Sequence, residues 1–164
     1  MEKLKVKPII NLDTLDKFEE HEKGSFHGKY AILSDNIGAS RLGYNLTIVK
    51  PGKKSCPFHN HYINEEMFLI LDGQGTLRFG EEEFAVAKHD IIACPPGGKE
   101  VAHQLINTGA TDLKYLALST RDPYDICEYP DSNKVLSMAG TYAERKLRHM
   151  SSLDNSLDYF DGEE

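Results

Sequence analysis

Four residues of this chain, His59, His61, Glu66 and His103, have the types and spacing to hold one metal ion. In an extended strand, residues two apart point to the same face, so His59 and His61 present two imidazoles side by side. Tyr62 to Asn64 is short and polar, and turns the chain. Glu66, Phe68 and Ile70 then alternate with Met67, Leu69 and Leu71 as in a half-buried strand. That parity seats Glu66 inward with Phe68 and Ile70 and turns its neighbour Glu65 outward. Asp72 to Gly75 reverses the chain, and beyond the break at Pro95 to Gly98 a strand over Val101 to Asn107 carries His103. One histidine alone reads more readily as a hydrogen-bonded core or surface residue; the ordered combination is the signal. Three neutral imidazoles and a carboxylate suit manganese, iron, nickel or zinc, and an octahedral ion would keep two positions open for chemistry. Cys56 and Cys94 lie close by. As ligands they would favour zinc, but they read as small buried or turn residues.

The elements that must position these ligands are short strands. An extended piece over Pro8 to Asn11 and a helical turn at Leu15 to Glu20, capped by Asp13 or Asp16, are expected first. Early strands follow around Phe26, Tyr30, Ile32 and Leu33. Tyr44, Leu46 and Ile48 alternate with Asn45, Thr47 and Val49 before Pro51 and Gly52 turn the chain into the histidine pair. Further strands are expected at Glu66 to Leu71, Gly75 to Phe79, Glu83 to Ala87, Ile91 to Cys94, Val101 to Asn107 and Leu113 to Ser119. Many short strands with Gly and Pro turns indicate an all-β sandwich or barrel. The chain reads as one domain over 1–164, with a core of about 42–120, an amino-terminal arm 1–41 and a carboxy-terminal tail 121–164. The tail reads as irregular, apart from one helix near Tyr142 to Met150 behind a Thr141/Glu144 capping box. Leu157, Tyr159 and Phe160 near the end are apolar enough to dock on the barrel or on a second subunit.

With 164 residues, there is room for one such core and not for two barrels. Nineteen basic against 26 acidic residues leave a net charge of −7, which argues against nucleic acid or an anionic membrane as the main partner. The acidic runs at Glu19 to Lys23 and Glu81 to Glu83 read as solvated surface. No apolar run reaches membrane-span length and MEKLKVKPII lacks a secretory signal, so the expected location is the cytoplasm. Three widely spaced cysteines fit a reducing compartment.

The residues resemble the two motifs of the cupin superfamily. Gly52, His59, His61, Glu66 and Gly73 match the first motif, with the glycine one residue farther from the histidines than usual. Pro95, Gly97, His103 and Asn107 match the second, with three extra residues before the histidine. His89 stands where the family usually has a glycine, before Asp90. The resemblance spans Leu42 to Ser119. It implies a double-stranded β-helix, the cupin jelly-roll barrel, with the metal inside and His59, His61, Glu66 and His103 as its ligands. It also implies pairing of exposed edge strands into a homodimer. CEYPDSNK at Cys127 to Lys134 and the closing DYFDGE look like a subgroup of small bacterial single-domain cupins loosely called sugar-phosphate isomerase-like.

Three functions fit this reading. The first is a metal-dependent enzyme of the isomerase or oxygenase class, acting on a small sugar-like or carboxylate-bearing substrate. Tyr44, Gln104 and Tyr115 would then line its cavity, with Lys99 and Glu100 near the mouth. The second is a small-molecule binding or sensor protein on the same barrel. The third is a closed, structural zinc site.

Overall fold

The alternation that turns Phe68 and Ile70 inward is repeated across the molecule, and the structure, a computed structural model, describes residues 6–141 and 143–163. In chain order the strands are β1 (Glu19–Lys23), β2 (Phe26–Ile32), β3 (Leu42–Val49), β4 (Asn60–His61), β5 (Glu66–Asp72), β6 (Gln74–Phe79), β7 (Glu82–Ala87) and β8 (Ile91–Cys94). They are followed by β9 (His103–Ile106), β10 (Leu113–Thr120), β11 (Tyr124–Tyr129), β12 (Lys134–Gly140) and β13 (Arg145–Ser152). All named pairings are antiparallel. A six-stranded sheet runs β1-β2-β3-β10-β5-β8, a three-stranded sheet β7-β6-β9, and a four-stranded sheet β13-β12-β11-β4.

The core lies between the first two sheets. Val49, Phe68, Ile70, Ile92, Leu113 and Tyr115 of the large sheet pack against Leu77, Val86 and Leu105 of the small one. Each fully buried aliphatic side chain stabilises the fold by about 1.5–3 kcal/mol relative to exposure. Tight turns join the strands where glycine supplies a positive φ, as at Gly73 (φ 82°) between β5 and β6. A Cβ there would run into the Asp112 carbonyl oxygen.

A second apolar layer covers the outer face of the large sheet. Ala31, Leu33 and Leu46 are buried beneath Ile10, Leu12, Leu15 and Phe18 of the amino-terminal arm, with Tyr44 and Leu116 packed alongside. The arm's only regular turn described before β1 is a short 3-10 segment, Leu12–Thr14, capped by Asn11, whose Oδ1 accepts from the Asp13 amide at 2.8 Å. The helical turn expected at Leu15 to Glu20 does not form. Glu19 instead begins β1, which pairs with β2 from Glu19↔Tyr30 to Lys23↔Phe26.

The tail also departs from expectation. Much of it is strand, β11 (Tyr124–Tyr129), β12 (Lys134–Gly140) and β13 (Arg145–Ser152), rather than irregular chain. The helix expected near Tyr142 to Met150 is a strand from Arg145 onward; Tyr142 itself lies outside the described residues. The Glu144 amide does donate to Thr141 Oγ1 at 3.1 Å, as the capping box predicts. That bond falls in the turn between β12 and β13, and pairing with β12 overrides the local helix signal. Among the described residues, no helix is long and apolar enough to cross a membrane.

Candidate metal centre

The site is built where β4 meets β9 and β5. A bridge between His59 and His103, with backbone bonds in both directions at 3.2 and 2.8 Å, lays the histidine pair against β9. Glu66, inward by the parity it shares with Phe68 and Ile70, faces them from the large sheet. Its Oε2 lies 3.0 Å from Nε2 of His103, 3.6 Å from Nε2 of His61 and 3.7 Å from Nε2 of His59. The structure thus brings together all four residues expected to share an ion. Glu65 is exposed, and its amide donates to Thr120 Oγ1.

Each imidazole is oriented through its other nitrogen. Nδ1 of His59 faces the Pro57 carbonyl at 2.8 Å, Nδ1 of His103 faces the Val101 carbonyl at 3.1 Å, and Nδ1 of His61 faces Asp125 Oδ2 at 2.6 Å. These acceptors assign the proton of each neutral ring to Nδ1 and leave the Nε2 lone pairs directed at Glu66. With all three rings neutral, three lone pairs and a carboxylate converge on one point, and either a cation among them or protons on the rings relieve the repulsion. The residues present therefore fit a divalent ion. Two sets of ligand atoms lie within 4.8 Å of one another, His59–Glu66–His103 and His59–His61–Cys127.

Without an ion, ring protons donated to Glu66 take the place of the cation. Burial pushes the Glu66 carboxyl up, but hydrogen bonds from His103 and His59, with His61 close by, hold it well below the usual carboxylate range. For His59, burial works against the charged ring; Cys56 and Glu66 outweigh it and place the imidazole well above its ordinary 6.5. Burial is also the main force on Asp125, yet its bonds to His61 and Asn64 keep it ionised.

A cavity of about 280 Å³ opens beside the centre. Tyr115 lines it as expected, and burial pushes its hydroxyl far up, against hydrogen bonds with Ser55 and Thr47, so the group stays protonated. Gln104 adjoins the same wall, but its side chain is buried with Nε2 donating to the Cys56 carbonyl at 2.6 Å. Tyr44 lies instead on the outer face of β3 and lines a neighbouring cleft with Arg121 and Asp125. Asn45 and Thr47, on the other face of β3, line the metal cavity. Lys99 and Glu100 occupy a 3-10 turn, where Lys99 pairs with Glu128 at 3.4 Å and Glu100 accepts from the Gly98 amide at 2.9 Å; both pin the loop. All three cysteines are free.

Sequence reasoning missed Asp125, Asn45 and Thr47. The alternation of Asp125, Cys127 and Tyr129 with Ile126 and Glu128 was the available signal for a strand with one face on the site. Tyr129 stacks on His59, with ring centroids 6.0 Å apart and planes at 24°.

Residues 45–119 match the family model described as a cupin domain. Over 72 residues the chain is 39% identical to an uncharacterized protein of Methanocaldococcus jannaschii, covering 44% of this chain and 54% of that protein. The chain spans about half the length of the curated relatives it matches. Among solved structures, a candidate sugar phosphate isomerase from Acidithiobacillus ferrooxidans superimposes with a TM-score of 0.80 at 24% identity, covering 93% of this chain and 96% of that one. A sugar phosphate isomerase of the cupin superfamily from Silicibacter pomeroyi gives 0.76 at 23% identity, with 94% and 98% covered. At these identities the structural likenesses establish the fold: antiparallel sheets forming a double-stranded β-helix.

Proposed function

Starting from a cupin domain at residues 45–119, we propose that this protein is a metal-dependent enzyme acting on a small polar substrate with neighbouring oxygen atoms, of the isomerase or oxygenase class. His59, His61, Glu66 and His103 would hold a divalent transition ion such as manganese, iron, nickel or zinc. The carrying observation is the convergence of three Nε2 lone pairs on the Glu66 carboxylate. When bound, such an ion supplies a Lewis acid that polarises a carbonyl or hydroxyl.

The protein's own residues shape the rest. Asn45, Thr47, Ser55 and Tyr115 offer neutral hydrogen-bonding groups to a hydroxylated ligand, and Phe68 and Tyr115 give the cavity an apolar floor that limits water. The sugar phosphate isomerase label carried by two fold relatives favours a sugar-like substrate over a simple carboxylate. We extend the proposal to a cytoplasmic homodimer without nucleic-acid or membrane partners. The exposed edge strand β1 and the acidic balance of the chain support that reading.

A second reading, a binding or sensor protein on the same barrel, draws on the neutral hydrogen-bonding groups of Asn45, Thr47 and Ser55 on the cavity wall and on Tyr115, which is held protonated. Incubating metal-loaded protein with aldoses and their phosphates in heavy water separates the two. Metal-dependent deuterium exchange next to the carbonyl supports an isomerase. Ligand binding with no exchange and no oxygen uptake would favour the sensor.

A further inference from the structure

Among the three imidazoles, His61 alone is backed by a carboxylate at its Nδ1. His59 and His103 donate to the backbone carbonyls of Pro57 and Val101, whereas His61 Nδ1 lies 2.6 Å from the carboxylate of Asp125. Asp125 is 2% exposed, and such a burial is costly unless every lone pair is satisfied. Here they are. Oδ1 accepts from the amides of Ile63 at 3.1 Å, Asn64 at 3.5 Å and Ile126 at 2.9 Å, and Oδ2 accepts from His61 and from Asn64 Nδ2 at 2.8 Å. The carboxylate is thus held in one position, against one ring, by the loop that leads from β4 to β5.

Asp125 belongs to β11, outside the residues that match the cupin domain. β11 pairs with β4 through Cys127↔His61 and Glu128↔Asn60, and its inward face carries Asp125, Cys127 and Tyr129 in alternation. We infer that Asp125 is a positioning residue of the metal centre, through which the carboxy-terminal sheet sets the orientation and donor strength of His61. A full negative charge on Nδ1–H fixes the tautomer and raises the basicity of Nε2 more than a carbonyl does. The inference rests on the proposed metal reading.

The test uses the full chain and cobalt(II) as probe, with the dissociation constant measured by competition against a chromophoric chelator. Asp125→Asn keeps an acceptor oxygen but removes the charge; Asp125→Ala removes both. Outer partners of this kind are worth roughly 10–100-fold in metal affinity, so Asn is expected near the lower bound and Ala near the upper. The His61 Nδ1–H resonance of the zinc-loaded protein, far downfield in the wild type, should move toward the position of an ordinary ring N–H in Asp125→Asn. Leu136→Ala, on β12 and paired with Cys127 of the neighbouring β11, serves as a control that loosens the sheet without altering the Asp125–His61 contact. Asp125→Asn binding cobalt within twofold of wild type, with the resonance unmoved, would overturn the assignment. Equal loss of affinity in Leu136→Ala and Asp125→Ala would do the same, reducing Asp125 to a packing role. A wild-type protein that binds no cobalt would instead sink the metal reading, and this inference with it.

Discussion

Nε2 of His103 lies 3.0 Å from Oε2 of Glu66, although 37 positions separate the two in the chain. The contact spans the barrel, from the three-stranded sheet to the six-stranded one. With the neutral ring's proton on Nδ1 both atoms bring lone pairs, and a bound cation relieves their repulsion where, without an ion, a second ring proton donated to Glu66 would. Glu66→Ala is therefore expected to weaken metal binding by more than about 100-fold, beyond what loss of an outer partner costs. Glu65→Ala, one residue away and solvent-facing, should leave binding intact. Elemental analysis of protein purified without a metal-affinity tag checks both; equal metal loss from the two variants would refute the parity that seats Glu66 inward.

Metal removal should be visible as lost stability. A ligand that binds only the native state at about 100 times its Kd adds roughly 2.7 kcal/mol. For a chain of this size that corresponds to a rise in Tm of about 5–10 °C. Stripping the protein with a chelator should reverse the rise, and re-adding manganese or zinc should restore it. An unchanged melting curve across that cycle would mean the four side chains hold nothing.

The convergence of His59, His61, Glu66 and His103 was legible because their positions follow strand alternation, and the inward seat of Glu66 could be told from that of Glu65 on that basis alone. On β3 the same alternation was ambiguous. Both of its faces are covered, so polar Asn45 and Thr47 turn toward the cavity while Leu46 lies under the amino-terminal arm. A polar residue facing a metal cavity looks, in sequence, like one facing water. The tail failed for another reason: Thr141 and Glu144 carry a real local helix signal, which pairing of β13 with β12 overrules. The placement of Leu46, 1% exposed, has a direct consequence. Leu46→Ala should cost about 2–5 kcal/mol by denaturant unfolding while leaving metal content unchanged, since it empties the outer layer and not the barrel.

The carboxy-terminal sheet is tied to the barrel by a forked ion pair, Arg78 to Asp131 at 2.6 and 2.9 Å, with the guanidinium 3.7 Å from the Phe58 ring centroid. Arg78 holds the Asp131 carboxyl below its ordinary 3.8, against a smaller upward push from burial. Because the folded-state value is depressed, the pair's stabilisation is complete above 3.8 and is lost as pH falls through the lower folded value. Asp131 is half exposed, so solvent screening limits the effect to at most ~1 kcal/mol. Asp131→Asn should melt earlier than wild type at neutral pH and converge with it in strong acid. A stability difference that persists undiminished at low pH would assign the loss to packing instead of charge.

His89 has φ of 79°, a left-handed conformation that a Cβ disfavours, at the position before Asp90 where the motif usually carries glycine. The turn is held by its surroundings: the His89 amide donates to the Ile70 carbonyl at 2.8 Å, and the Ile70 amide donates to the Asp90 carbonyl at 2.9 Å. The side chain is exposed and outside the metal cavity. A left-handed residue with a Cβ costs roughly 1–2 kcal/mol, and glycine gives back about 0.4–1 kcal/mol through the greater freedom of the unfolded chain. His89→Gly should therefore stabilise the protein by up to ~1 kcal/mol, with metal affinity untouched. Urea unfolding of metal-free wild type and variant measures this directly, and a lower midpoint for His89→Gly would show that the imidazole contributes more to the turn than its strain costs.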